Sequence, residues 1–138
     1  MITIDDFHKV EIKIGTVLEA TKVPEADRLI KLVFDFGPKE SKILNQVQDD
    51  EPHPNPLPGE GEEKDGERDI RQIMSAIAEF YPNAEDLVGK QIAVCVNLEP
   101  RKFKGYESQG MILATGDDVE TISFLIPEKK VKPGSMVH

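Results

Sequence analysis

Apolar side chains alternate with polar ones along VEIKIGTVLEATKV, residues 10–23: Val10, Ile12 and Ile14 keep step, the phase shifts at Gly15, and the pattern resumes at Val17. A period of two places alternate side chains on one face, so this stretch predicts a long strand bent by a bulge beside the glycine. LIKLVFDF, residues 29–36, predicts a second strand with Leu32, Phe34 and Phe36 on one face. RDIRQIMSAI, residues 68–77, is a third apolar stretch of less regular period, and QIAVCVNL, residues 91–98, is a fourth, alternating Ile92, Val94 and Val96. Between these two, YPNAEDLVGK offers Asn83 as an N-cap, Glu85 and Asp86 for a first turn and Gly89 as a stop, which predicts one short helix. GMILATG, TISFLIP up to Pro127, and KKVKPGSMVH after its Pro-Gly turn supply further extended pieces. Short strands with a single helical step between the third and fourth predict a small closed barrel, and the five-stranded OB-fold has its helix there. Periodicity alone also admits a small sandwich or another α+β fold.

The segment SKILNQVQDDEPHPNPLPGEGEEKDGE, residues 41–67, has no apolar period. Pro52, Pro54, Pro56 and Pro58 remove backbone donors at alternate positions, and the acids that follow repel one another, so a long, extended, poorly ordered loop is expected. Its phrases ILNQVQDD and HPNPLPGEGE resemble peptides produced when bacterial interspersed repeats are read through in frame, which marks it as an acquired insertion in a hairpin loop. Lengthening such a loop from about 4 to about 30 residues costs roughly 2 kcal/mol of closure entropy, against a typical domain stability of about 5–15 kcal/mol. The segment holds eight acids and two bases (Lys42 and Lys64), a local charge of -6. Of the chain's net -9, only -3 therefore belongs to the other 111 residues.

At 138 residues the chain fits one domain, 1–138, with the insertion inside it. No apolar run approaches the roughly 20 residues of a membrane span, and MITIDDFHKV lacks the features of an export signal, so a cytoplasmic protein is expected. Cys95, the one cysteine, sits in the apolar run IAVCV and reads as a buried, inert thiol. His8, His53 and His138 are scattered, and no Cys or His pair has metal-ligand spacing, so neither metal nor cofactor is expected. Nucleophile-base arrangements and phosphate-cradling loops are also missing, which argues against independent enzymatic activity. The acidic balance opposes nonspecific nucleic-acid binding.

Against that balance stands NLEPRKFKGYESQGM, residues 97–111. Arg101 can grip a phosphate with its planar fork, while Lys102 and Lys104 act as mobile point charges. Ser108 and Gln109 add neutral donors and acceptors, and Gly105 and Gly110 let the backbone turn sharply and approach closely. Asn97 can brace the loop or touch RNA, Met111 can fill core or meet a base, and Arg71 can pair in the strand or reach a phosphate.

Taken with DDFHKVEIKIGTVLEATKVPEADRLIKLVFDFG, RQIMSAIAEFY, LVGKQIAVCVNLEPRKFKGYESQGMILA and LIPEKKVKPGSMV, this phrase resembles the tRNA-binding OB domain family, which includes the C-terminal domain of bacterial methionyl-tRNA synthetase and free-standing tRNA-binding proteins. The resemblance covers nearly the whole chain except the insertion, with the N-L-x-P-R-K-x-x-G-x-x-S-Q-G-M spacing intact. It implies an all-β, five-stranded OB-fold barrel with one short helix and a C-terminal extension, tRNA bound through backbone charge and shape, a homodimer formed with help from the C-terminal stretch, and an aminoacyl-tRNA synthetase as a partner. It places Asn97, Arg101, Lys102, Lys104, Ser108, Gln109 and Met111 nearest RNA, and Arg71, just after the insertion, is expected to add another phosphate contact. A related branch resembles secretion chaperones, which makes polypeptide binding one alternative; that branch lacks Ser-Gln-Gly-Met. A folded relic that binds weakly is the other, since acids beside the groove would repel RNA.

Overall fold

The computed structural model describes residues 1–39, 67–118 and 120–138; the insertion read at 41–67 lies outside them except for Glu67. Four longer strands carry the fold: β1 (Ile12–Lys22), β2 (Ile30–Pro38), β3 (Arg68–Ser75) and β4 (Gln91–Cys95). β1 is shared between two antiparallel partners, its first half pairing with β4 (Ile12 opposite Cys95) and its second half with β2 (Lys22 opposite Ile30). Serving both partners requires a strong bend, which a bulge between Val17 and Glu19 supplies. The phase shift at Gly15 therefore has a different origin from the one its sequence suggests. Gly15 pairs regularly with Ile92, and a Cβ there would lie 2.6 Å from Phe36 Cε1 and 2.8 Å from Phe34 Cδ1, so glycine is needed for room against two core rings.

The alternation read in LIKLVFDF appears directly as burial: Ile30, Leu32, Phe34 and Phe36 all point inward, and Phe34 and Phe36 stack at 5.7 Å. With Val17, Ile73, Leu87, Ile92, Val94 and Val96 they form one core. Cys95 is a buried free thiol. The expected helical step is a 3-10 turn, Ala84–Leu87, whose Leu87 is fully buried; Asn83 has extended backbone at its N-cap but makes no side-chain cap bond. Near it Tyr81 stacks on Phe124 at 5.2 Å, and burial raises its phenol above the ordinary value. A four-residue helix, α1 (Ile4–Phe7), closes the N-terminal segment with a Thr3–Asp6 capping box, and those hydrogen bonds lower the Asp6 carboxyl below its usual value.

After β4 the chain breaks into short pieces: β5 (Arg101–Phe103), β6 (Tyr106–Ser108), β7 (Met111–Ile112), β8 (Ala114–Thr115) and β9 (Ser123–Phe124). The main sheet has the order β3-β2-β1-β4-β7, with β5-β6 and β8-β9 as separate hairpins. It curls into half a barrel, and residues 107–110 bridge the remaining gap to β3, giving an all-β, OB-like barrel. The last residues return along β1: Gly134 N–H donates to the Ile14 carbonyl (2.7 Å), Ile14 N–H to Ser135 (2.9 Å) and Val137 N–H to Ile12 (2.8 Å). Gln91 holds this strap at Val131 through both ends of its amide, donating at 2.7 Å and accepting at 3.0 Å.

Candidate nucleic-acid interface

The basic run forms the β5-β6 hairpin. Its two turn residues, Lys104 (φ 52) and Gly105 (φ 86), both have positive φ, as a two-residue turn of the primed kind requires. Phe103 and Tyr106, opposite each other in the register, are half-buried and pack on a small cluster of Val23, Ala26 and Met74. The aromatic pair thus fastens the hairpin to the barrel. Arg101 lies over Phe103 with its guanidinium carbon 5.2 Å from the ring centroid. Arg101, Lys102 and Lys104 are exposed, and among the described residues none of them has a carboxylate within ion-pair distance. Glu107 stands opposite Lys102 in the register without pairing to it.

The Ser-Gln-Gly residues sit at the barrel's seam. Ser108 is buried, its Oγ accepting from Met74 N–H (3.0 Å) and donating to the Gly110 carbonyl (3.2 Å). Gln109 meets Gln72 twice: its N–H donates to the Gln72 carbonyl at 2.8 Å, and its Oε1 accepts from Gln72 N–H at 2.9 Å. Gln72 Nε2 also donates to the Glu107 carbonyl at 2.9 Å. Gly110 lies so close to β4 that a Cβ would sit 3.0 Å from the Cys95 carbonyl oxygen. Arg71 spans the same seam. It forks onto Asp69 (3.0 and 3.2 Å), donates to the Val96 carbonyl at 2.6 Å and stacks over Phe36 at 5.6 Å. Asn97 accepts from Glu11 N–H (2.9 Å) and donates to the Lys9 carbonyl (2.8 Å), tying the start of the loop to the N-terminal segment. Of the eight residues read from the sequence, the structure thus places Arg101, Lys102, Lys104 and Met111 outward, and Arg71, Asn97, Ser108 and Gln109 in hydrogen bonds within the chain.

Two cavities flank the hairpin. An open cleft of about 670 Å³ lies between the hairpin tip and the β1-β2 loop; Arg28, Lys102, Phe103 and Lys104 line it together with the acids Glu25 and Asp27. A smaller crevice of 170 Å³ lies on the other side of Phe103 and Ala76. Arg28 is a cation that the sequence reading did not single out. In ADRL it looks like any loop arginine, and the signal that could have found it is its position in the loop just before the second strand, which an OB barrel brings beside the loop after its fourth. Among the described residues no group of three metal-ligating side chains occurs, and no helix is long and apolar enough to cross a membrane.

Residues 64–136, more than half of the chain, match the family model described as "Putative tRNA binding domain". The chain belongs to this tRNA-binding domain family. It is 40% identical to the methionine–tRNA ligase of Archaeoglobus fulgidus over 136 residues, 99% of this chain and 16% of the ligase. The chain thus spans about a sixth of the length of the curated relatives it matches. Among solved structures, a MetRS-related protein from Pyrococcus horikoshii superposes with a TM-score of 0.71 at 28% identity, covering 100% of this chain and 98% of that one. The chaperone CsaA from Bacillus anthracis superposes with a TM-score of 0.69 at 25% identity, covering 100% and 99%. The likeness to CsaA bears only on the polypeptide-binding alternative; the family match is to tRNA binding.

Proposed function

We propose that this domain binds tRNA through the cleft between the β5-β6 hairpin and the β1-β2 loop, with Arg28, Lys102 and Lys104 meeting phosphates there and Arg101 and Met111 meeting RNA in the crevice beside it. Arg71, Asn97, Ser108 and Gln109 act as positioning residues that hold the hairpin to the barrel. The observation that carries this is that the exposed cations Arg28, Lys102 and Lys104 line one cleft and have no ion-pair partner among the described residues, in a chain of net charge -9. Phosphate attraction is short-ranged at physiological salt, where the screening length is about 8 Å, so the cleft's three cations, offset locally by Glu25 and Asp27, outweigh the acids farther away.

The domain serves binding and not chemistry, in the cytoplasm, as a free-standing auxiliary or as a subunit that strengthens a synthetase's hold on tRNA. It acts as a homodimer joined partly through its C-terminal stretch, where Leu125, Ile126, Met136 and Val137 leave large apolar surface exposed. Residues 41–67 are an insertion into this one domain, 1–138. A gel shift with total tRNA across a salt series, beside duplex DNA and unstructured RNA, tests the assignment. Affinity for tRNA that falls linearly on a log-log salt plot and exceeds that for duplex DNA is expected; capture of unfolded polypeptides with no tRNA shift would favour the chaperone-like alternative.

A further inference from the structure

The 170 Å³ crevice beside the hairpin mixes apolar walls with polar groups, Ser75 and Ser108 among them. Its walls are Ala76, Leu98, Phe103 and Met111, with Glu99 and Arg101 among its lining. Leu98 is 44% exposed and Met111 49%, two large apolar side chains left open beside Arg101. Ala76 and Phe103 line the crevice and the 670 Å³ cleft alike, so one ridge separates a recess holding Leu98, Met111 and Arg101 from a cleft holding Arg28, Lys102 and Lys104. At about 30 Å³ per water the crevice has room for roughly six waters, below the roughly 300 Å³ at which pockets begin to hold a drug-sized ligand. It suits one planar ring and not a whole nucleotide.

Resting on the tRNA assignment, we propose that this crevice is a socket for a single unpaired nucleobase. The base enters between Leu98, Met111 and the Phe103–Arg101 stack, while its flanking phosphates cross the Ala76 ridge to Arg28, Lys102 and Lys104. Every base offers an apolar π-face, so stacking of this kind is tolerant of sequence. Base pairing would hide that face, so the socket selects unpaired nucleotides in a loop, bulge or end. Cations alone would not discriminate in this way.

Two substitutions test the socket without removing a charge. Ala76→Leu fills the crevice from an exposed position, and Met111→Ser removes one apolar wall that is also exposed. Each is expected to weaken tRNA binding about tenfold, within the range for loss of one stacked base, with the salt slope unchanged. A short single-stranded RNA carrying 2-aminopurine should change fluorescence on binding the wild type, and this signal should vanish in both variants and with a duplex probe. Wild-type tRNA affinity and an unaltered 2-aminopurine signal in both variants would overturn the socket alone. A wild type that shifts no tRNA would overturn the tRNA assignment, and the socket would then stand or fall on the short-RNA signal.

Discussion

Lys104 is the one non-glycine with positive φ among the described residues, and it occupies the hairpin tip. Asparagine and glycine adopt that conformation more readily than lysine, so turn chemistry alone does not account for a lysine there. Lys104→Asn separates the two demands by keeping the turn and removing the charge. Thermal stability is expected to stay equal or rise slightly, while the salt slope for tRNA drops by about one, measured by parallel melting and filter-binding series. Unchanged slope would remove Lys104 from the phosphate face. Ser108 presents the reverse case: its letter in SQGM reads as a surface hydroxyl, yet it is 4% exposed and its oxygen satisfies the buried Met74 N–H. Ser108→Ala should cost about 1–3 kcal/mol in denaturant unfolding, because the orphaned donor loses its partner.

At the level of elements, the strands visible in the sequence were those with a face to bury. β2 carries a period-two pattern because one side meets the core, whereas β4 is buried on both faces from Ile92 to Cys95 and reads as a continuous apolar run; the expected helical step appeared as a 3-10 turn on Leu87. β5 to β9 span only two or three residues each, too short for any period to show. The seam was hidden for another reason: Gln72 and Gln109 are 37 residues apart, and nothing local in either phrase announces their pairing. The cationic residues were legible as chemistry, but which of the eight turn outward depends on that pairing. Arg71 is the clearest instance, since its donors go to Asp69 and Val96. Arg71→Gln removes both the fork and the charge, so the melting temperature should fall while the salt slope for tRNA is retained. A slope reduced by about one at unaltered stability would instead count Arg71 among the phosphate contacts.

On the scale of the whole molecule, the acidic segment joins the described barrel at Lys39 and Glu67, which are linked by a 2.8 Å backbone hydrogen bond. From Arg68 to the cleft residue Ala76 is roughly 26 Å along β3 at about 3.3 Å per residue, some three screening lengths at physiological salt. Replacing residues 41–67 by an Asn-Gly turn would change the net charge from -9 to -3. Affinity for tRNA should change little near 150 mM salt and tighten visibly near 10 mM, where screening reaches about 30 Å. Strong tightening at both would mean that the acids act at the cleft itself. Association is a separate property: Ile126, 63% exposed, would be covered in the proposed dimer, so Ile126→Glu should shift sedimentation toward the monomer.

Because Gln109 and Ser108 latch onto β3, the fingertip that would touch RNA is also the clasp that shuts the barrel. A synthetic peptide of residues 97–111 would keep Arg101, Lys102 and Lys104 yet lack Arg28 and the surface that shapes them, since a lone two-stranded ribbon is barely stable in water. Such a peptide should adhere to polyanions indiscriminately, and a ribosome that has not yet delivered residue 109 has delivered no usable grip.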